Sequence, residues 1–132
     1  MFTLEQLKAA HNKVTSGADF PAYIQEIKAL GVTHYQAYVN DGHIDYHGNN
    51  HHTVTVPAKY ELLSIANTPK IDVFKAELSE HQQGKTDFLA FIGACASSGI
   101  WKWTICMEKM TCTYYDQTGN EILIEQIPPV KP

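Results

Sequence analysis

The chain has 132 residues, 44% of them hydrophobic, and a net charge of −4. That length and apolar content suit one folded domain and exclude a disordered chain. All ten basic residues are lysines, which argues against a nucleic-acid partner, because arginine is the usual bidentate reader of phosphate and guanine. No apolar run approaches the ~18–20 residues of a membrane span. The opening Met1-Phe2-Thr3-Leu4-Glu5 lacks the basic and apolar regions of a secretion signal, so the expected location is the cytoplasm, away from membranes.

Thr3 with Gln6 forms a capping box for a first helix, whose stripe is Leu4, Leu7, His11 and Val14. Ser16-Gly17 breaks it. Asp19 is the expected cap of a second helix, with Pro21 in its first turn and Gly31 at its end. Val32 to Val39, Ile44 to Gly48 and His52 to Val56 read as strands, the first two joined by Asn40-Asp41-Gly42-His43. Lys59 to Ala66 reads as a short strand with Leu62 and Leu63 buried.

Thr68-Pro69 is the expected start of a third helix, with Ile71, Phe74, Leu78 and His81 on one face and Gln83-Gly84 at its end. Thr86 or Asp87 caps a fourth, carrying Phe88, Phe91, Ile92 and Cys95 to Gly99. Ile100 to Met107, Thr111 to Asp116 and Glu121 to Ile127 read as three more strands. Pro128-Pro129 ends the pattern.

The order is helix, helix, strand, strand, strand, twice over. A shift of 68 positions lays Asp19-Phe20 on Asp87-Phe88, Tyr23 on Phe91, Gly31 on Gly99, Tyr35 on Trp103 and Tyr46 on Tyr114. The first helices fit better at a shift of 67. This gives one domain over 1–132, with pseudo-repeats 1–57 and 69–127 and a connector 58–68. The fold class is α+β, with the helices on one face of a mainly antiparallel sheet.

The repeat implies a register. It pairs Val39 with Ile44 and Ala37 with Tyr46, and in the second copy Met107 with Cys112 and Ile105 with Tyr114. The outer hairpins pair Tyr46 with Val54 and Tyr114 with Ile122. The implied core face is Tyr35, Ala37, Val39, Ile44, Tyr46, Val54 and Val56, with Trp101, Trp103, Ile105, Met107, Cys112, Tyr114, Ile122 and Ile124. Cys106 and Cys112 then face opposite ways and form no disulfide.

Five of the seven histidines lie between His34 and His52. His34, Asp45 and His47 share the outer sheet face and are the metal candidates, with His51-His52 in a loop. A zinc or iron site needs three or four converging ligands, which a twisting sheet face rarely supplies. Gly84-Lys85-Thr86 matches the end of a phosphate loop, but Ser79 stands where the pattern needs glycine and a helix precedes it. Cys95 lies on a buried stripe without a placed histidine partner. Cys106 is the cysteine open to solvent, with nothing to lower its pKa. Asp19 and Asp87 are explained by capping. Most aromatics fall in the core, and the seam between the copies is the expected place for an aromatic-lined cleft.

Phe2-Thr3-Leu4-Glu5-Gln6, Gly17-Ala18-Asp19-Phe20-Pro21-Ala22-Tyr23, His81-Gln82-Gln83-Gly84-Lys85-Thr86-Asp87 and Met110 to Ile122 resemble an enterobacterial (YbcV-like) family of unknown function, often labelled "phage envelope protein". The resemblance covers nearly the whole chain and implies a small, soluble, prophage- or genome-encoded protein. It carries over no catalytic residue.

The leading expectation is a non-enzymatic accessory or binding protein with a small-molecule or protein partner and no cofactor. The alternatives are a metal-dependent protein or enzyme using the His34–His52 region, and a minor phage structural component. Catalytic and ligand-binding residues stay unassigned. Antiparallel edge strands allow a homodimer.

Overall fold

In the computed structural model, which describes residues 1–14 and 19–128, each half runs helix, helix, strand, strand, strand. The Ser16-Gly17 break and the tail beyond Pro128 lie outside the described residues. The first half holds α1 (Leu4–His11), α2 (Phe20–Leu30), β1 (Val32–Tyr38), β2 (Ile44–Gly48) and β3 (Thr53–Val56). The second holds α3 (Ile71–Gln82), α4 (Phe88–Ser97), β4 (Lys102–Cys106), β5 (Thr111–Tyr115) and β6 (Glu121–Gln126). The class is α+β, as the pattern implies.

Local chemistry sets most of the ends. The Thr3 hydroxyl accepts from the Gln6 N–H and the Gln6 side chain accepts from the Thr3 N–H, completing the capping box. Asp87 caps α4 by accepting from the Ala90 N–H at 2.8 Å. Gly31, at φ 108°, ends α2 in the left-handed region. Two expected starts are corrected. Asp19 stands before α2, but its backbone is already helical and its side chain makes no capping bond. The third helix begins at Ile71 rather than beside Thr68-Pro69, because that segment is strapped across the end of α4. There Lys70 N–H donates to Ser98 O at 2.8 Å, and a Cβ on Gly99 would come within 2.7 Å of Pro69 Cα.

The six strands of the described residues form one antiparallel sheet in the order β3-β2-β1-β4-β5-β6. At its centre Gln36 pairs with Thr104, the residue 68 positions on. Tyr35 pairs with Tyr46, and Trp103 with Tyr114, again 68 apart at both ends. Both inner hairpins therefore differ from the expected register by the same two residues. Their loops are four residues long, as Tyr38 N–H to His43 O shows at 3.0 Å. A slip of two keeps every side chain on its face, so the core parity survives.

The outer hairpins differ from each other. β2 and β3 pair as expected, Ile44 with Val56 and Tyr46 with Val54. Between β5 and β6 the register holds at Tyr115–Glu121, then an extra residue, Ile122, enters β6. Tyr114 then pairs with Leu123 and Cys112 with Glu125, correcting Ile122 and Ile124 as partners. Ile124 is left 55% exposed.

Leu7, Ile24, Ile27, Phe74, Cys95, Ile100 and Ile105 are among the residues buried between helices and sheet. Trp101 departs from the core face, its ring 5.6 Å from Tyr38 and under the Lys102 ammonium. Lys59 to Ala66 is not a strand, and Leu62 is 75% exposed. Its amides serve the first hairpin loop instead. Lys59 N–H donates to Asp41 O and Leu63 N–H to Asn40 O, while the Tyr60 hydroxyl donates to Val39 O at 2.7 Å.

Candidate functional site

The two helix pairs leave a cavity of about 840 Å³ between them, over the central strands. Volume of this order suits a small-molecule ligand. The first half contributes His11, Phe20 and Tyr23 to its walls, and the second half contributes His81, Phe91 and Gln82. The sheet contributes Tyr35, Trp103, Tyr114 and Glu125. The rings form two groups: Phe91 to Trp103 at 6.0 Å and Trp103 to Tyr114 at 6.2 Å in one, Tyr23 to Tyr35 at 6.4 Å in the other. His11 bridges the halves, 5.5 Å from Tyr23 and 6.1 Å from Phe88. The cleft lies at the seam, where the sequence places an aromatic-lined site.

Its histidines and buried tyrosines are held neutral. Burial, with the nearby Lys59 charge, lowers the His11 pKa to about 4. Burial also lowers that of His81, whose ring stacks on Phe91 at 4.3 Å with Nδ1 against the Thr86 carbonyl and hydroxyl oxygens. Tyr23, Tyr35 and Tyr114 are pushed well above the usual phenol range by burial. The Tyr23 and Tyr46 hydroxyls hydrogen-bond to each other.

Among the described residues Glu125 is the one carboxylate in the lining. The Gln82 amide donates to its Oε1 at 3.2 Å and the Tyr114 hydroxyl to the same oxygen at 3.5 Å. Burial raises its pKa, against the pull of those two bonds. The implied register had put Ile124 on the core face, so Glu125 was not legible as a site residue. His11 and His81 were legible, because both lie on the apolar stripes of their helices.

The outer sheet face carries the histidine candidates. His34 and His47 sit directly opposite and stack at 4.4 Å. His47 Nε2 bonds Gln36 Oε1 at 2.8 Å and its Nδ1 meets the Thr53 hydroxyl at 3.3 Å. Asp45 accepts from the Thr55 hydroxyl at 2.7 Å and stands 3.9 Å from His43 Nε2. Among the described residues no three His, Cys, Asp or Glu side chains are grouped to hold a metal ion. His51 and His52 stay apart, with His52 Nε2 on the Phe2 carbonyl.

The remaining candidates have structural duties. Gly84 ends α3 at φ 77° and Lys85 N–H donates to Glu80 O, so Gly84-Lys85-Thr86 joins two helices. Cys95, Cys106 and Cys112 are free thiols. Burial pushes Cys95 up and Cys112 up to about 12, which disfavours the nucleophilic thiolate.

The fold and cleft define an α+β protein with a ligand-sized cavity at the junction of two similar halves. Residues 8–126 match the family described as protein of unknown function (DUF1398), and the chain belongs to that family. No curated protein matches the chain. None of the described helices is long and apolar enough to cross a membrane.

Proposed function

We propose that the protein is a non-enzymatic binding protein that holds a small, largely apolar molecule in the cleft between its halves. The observation that carries this reading is the cavity of about 840 Å³, walled by aromatic rings from both halves with a few polar groups among them. Pairing about Gln36–Thr104 supports descent from a duplicated unit within one domain, a history that creates such a seam. The resemblance to the "phage envelope protein" group supports a prophage-related, cytoplasmic accessory role.

A thermal-shift screen with metabolites and with metal ions tests the binding reading. A ligand at about 100 times its Kd adds about 2.7 kcal/mol, a rise of several degrees. The expected result is a rise with small aromatic molecules, abolished by filling the cleft with Ala37→Leu, and none with metals. A screen in which no metabolite shifts the folded protein overturns it.

A further inference from the structure

We infer that the cleft takes an organic monocation: an apolar or aromatic body carrying one ammonium group, with Glu125 as its counter-ion. This rests on the reading of the cleft as a ligand site and adds the charge of the ligand.

The argument begins with the ladder. The extra residue Ile122 turns Glu125 onto the core side of β6, opposite Cys112. Matched hairpin geometry would have put an isoleucine there. Bulges recur where a side chain is re-aimed at a site. The acid so delivered is only partly satisfied. Gln82 and Tyr114 both donate to Oε1, and no described residue bonds Oε2.

Nothing in the described lining answers that charge. The chain has no arginine, and among the described residues no lysine lines the cleft. Lys59 belongs to a smaller adjoining hollow and lies over the Phe88 ring at 5.7 Å. His11 and His81, the other titratable nitrogens in the wall, are held neutral by burial. A carboxylate half withdrawn from water gains from a nearby cation.

The surroundings suit an ammonium ligand. Tyr114, which donates to Glu125, is also part of the wall with Trp103 and Phe91, at 6.2 and 6.0 Å between successive rings. Aromatic faces beside a carboxylate attract alkylammonium groups through the ring quadrupole and the opposite charge together. An anionic ligand would meet Glu125 with like charge. A neutral one would leave Oε2 to water and forgo the charge pairing.

Three probes with the same body separate the alternatives: phenethylamine, phenethyl alcohol and phenylacetate, titrated into the full chain by calorimetry at neutral pH. The amine is expected to bind at least about tenfold tighter than the alcohol, which is about 1.4 kcal/mol, and phenylacetate least. Glu125→Gln should cost the amine about tenfold and change the alcohol by less than about twofold. The melting temperature of the free variant checks its fold. Alcohol or acid binding as tightly as the amine overturns the cation and leaves the cleft as a ligand site. An amine affinity unchanged by Glu125→Gln does the same. Silence from all three probes overturns the cation, and the cleft reading falls with it only if the metabolite screen is also silent.

Discussion

Tyr46 in β2 and Tyr114 in β5 occupy matching places, 68 positions apart, and both are buried, yet their hydroxyls are satisfied differently. In the first half the Tyr46 hydroxyl meets that of Tyr23 on α2. The counterpart of Tyr23 is Phe91, which has no hydroxyl to offer. In the second half the Tyr114 hydroxyl reaches Glu125 instead. The carboxylate is there because β6 holds one residue more than the regular β2–β3 ladder would predict. Where Ile44 faces Val56, Cys112 faces Glu125. One inserted residue has exchanged a buried aliphatic for a partly buried acid, on the side where the cleft opens.

The largest effects test whether the two halves are equally well packed. Leu7 and Phe74 are both fully buried, in the first helix of each half. Leu7→Ala and Phe74→Ala should each lower stability in urea unfolding by about 3–4 kcal/mol. A loss under about 1 kcal/mol for Phe74→Ala would mean that the second half is already loosened beside the cleft.

Next come the two tyrosines. Tyr46→Phe leaves the Tyr23 hydroxyl buried without its partner and should cost about 1–3 kcal/mol. Tyr114→Phe should cost less, about 1 kcal/mol or below, because Gln82 still serves Glu125. Tyr23→Phe with Tyr46→Phe should cost less than the two single losses together. Equal costs for the two single tyrosine variants would break the comparison.

Acid should weaken the cleft wall. His11 has a folded pKa of about 4 against 6.5. Between those values the unfolded chain binds a proton that the folded chain refuses, so stability falls as pH drops through that window. After allowing for partial exposure the loss is about 1–2 kcal/mol, and His11→Phe should remove it from the pH profile of urea unfolding. A profile unchanged by His11→Phe would place the ring in water.

The smallest effect concerns Glu125. Its folded pKa is raised, so its contribution is full below the unfolded value of 4.5 and is lost as pH rises through the folded value. Glu125→Gln should therefore stabilise the protein at neutral pH by something under about 1 kcal/mol, with the gain vanishing in acid. A loss at neutral pH would show that the carboxylate supports the fold rather than taxing it. A gain fits a residue kept for binding at the expense of stability.

Much of this was legible from the residues. The capping box at Thr3, the Asp87 cap and the Gly31 stop are set within a few positions of chain. The parity of β1, β2, β4 and β5 was legible because alternation shows directly in sequence. The seam cleft was legible in outline, since two similar halves must meet somewhere. Its acid was not. Ile122, Leu123 and Ile124 are all apolar, and nothing in that run marks which one the ladder skips.

Composition, capping and alternation by themselves determined the fold class, the helix-helix-strand-strand-strand order of each half and the face that β1, β2, β4 and β5 turn to the helices. These depend on contacts within a few residues, which is the range that sequence patterns describe. Tertiary structure alone decided the two-residue slip of the inner hairpins, whose first loop carries the connector on the Asn40 and Asp41 carbonyls. It also decided the bulge that brings Glu125 under Gln82 and Tyr114. Those choices are made by groups far apart in the chain, where the need to satisfy a buried hydroxyl or amide outweighs local preference.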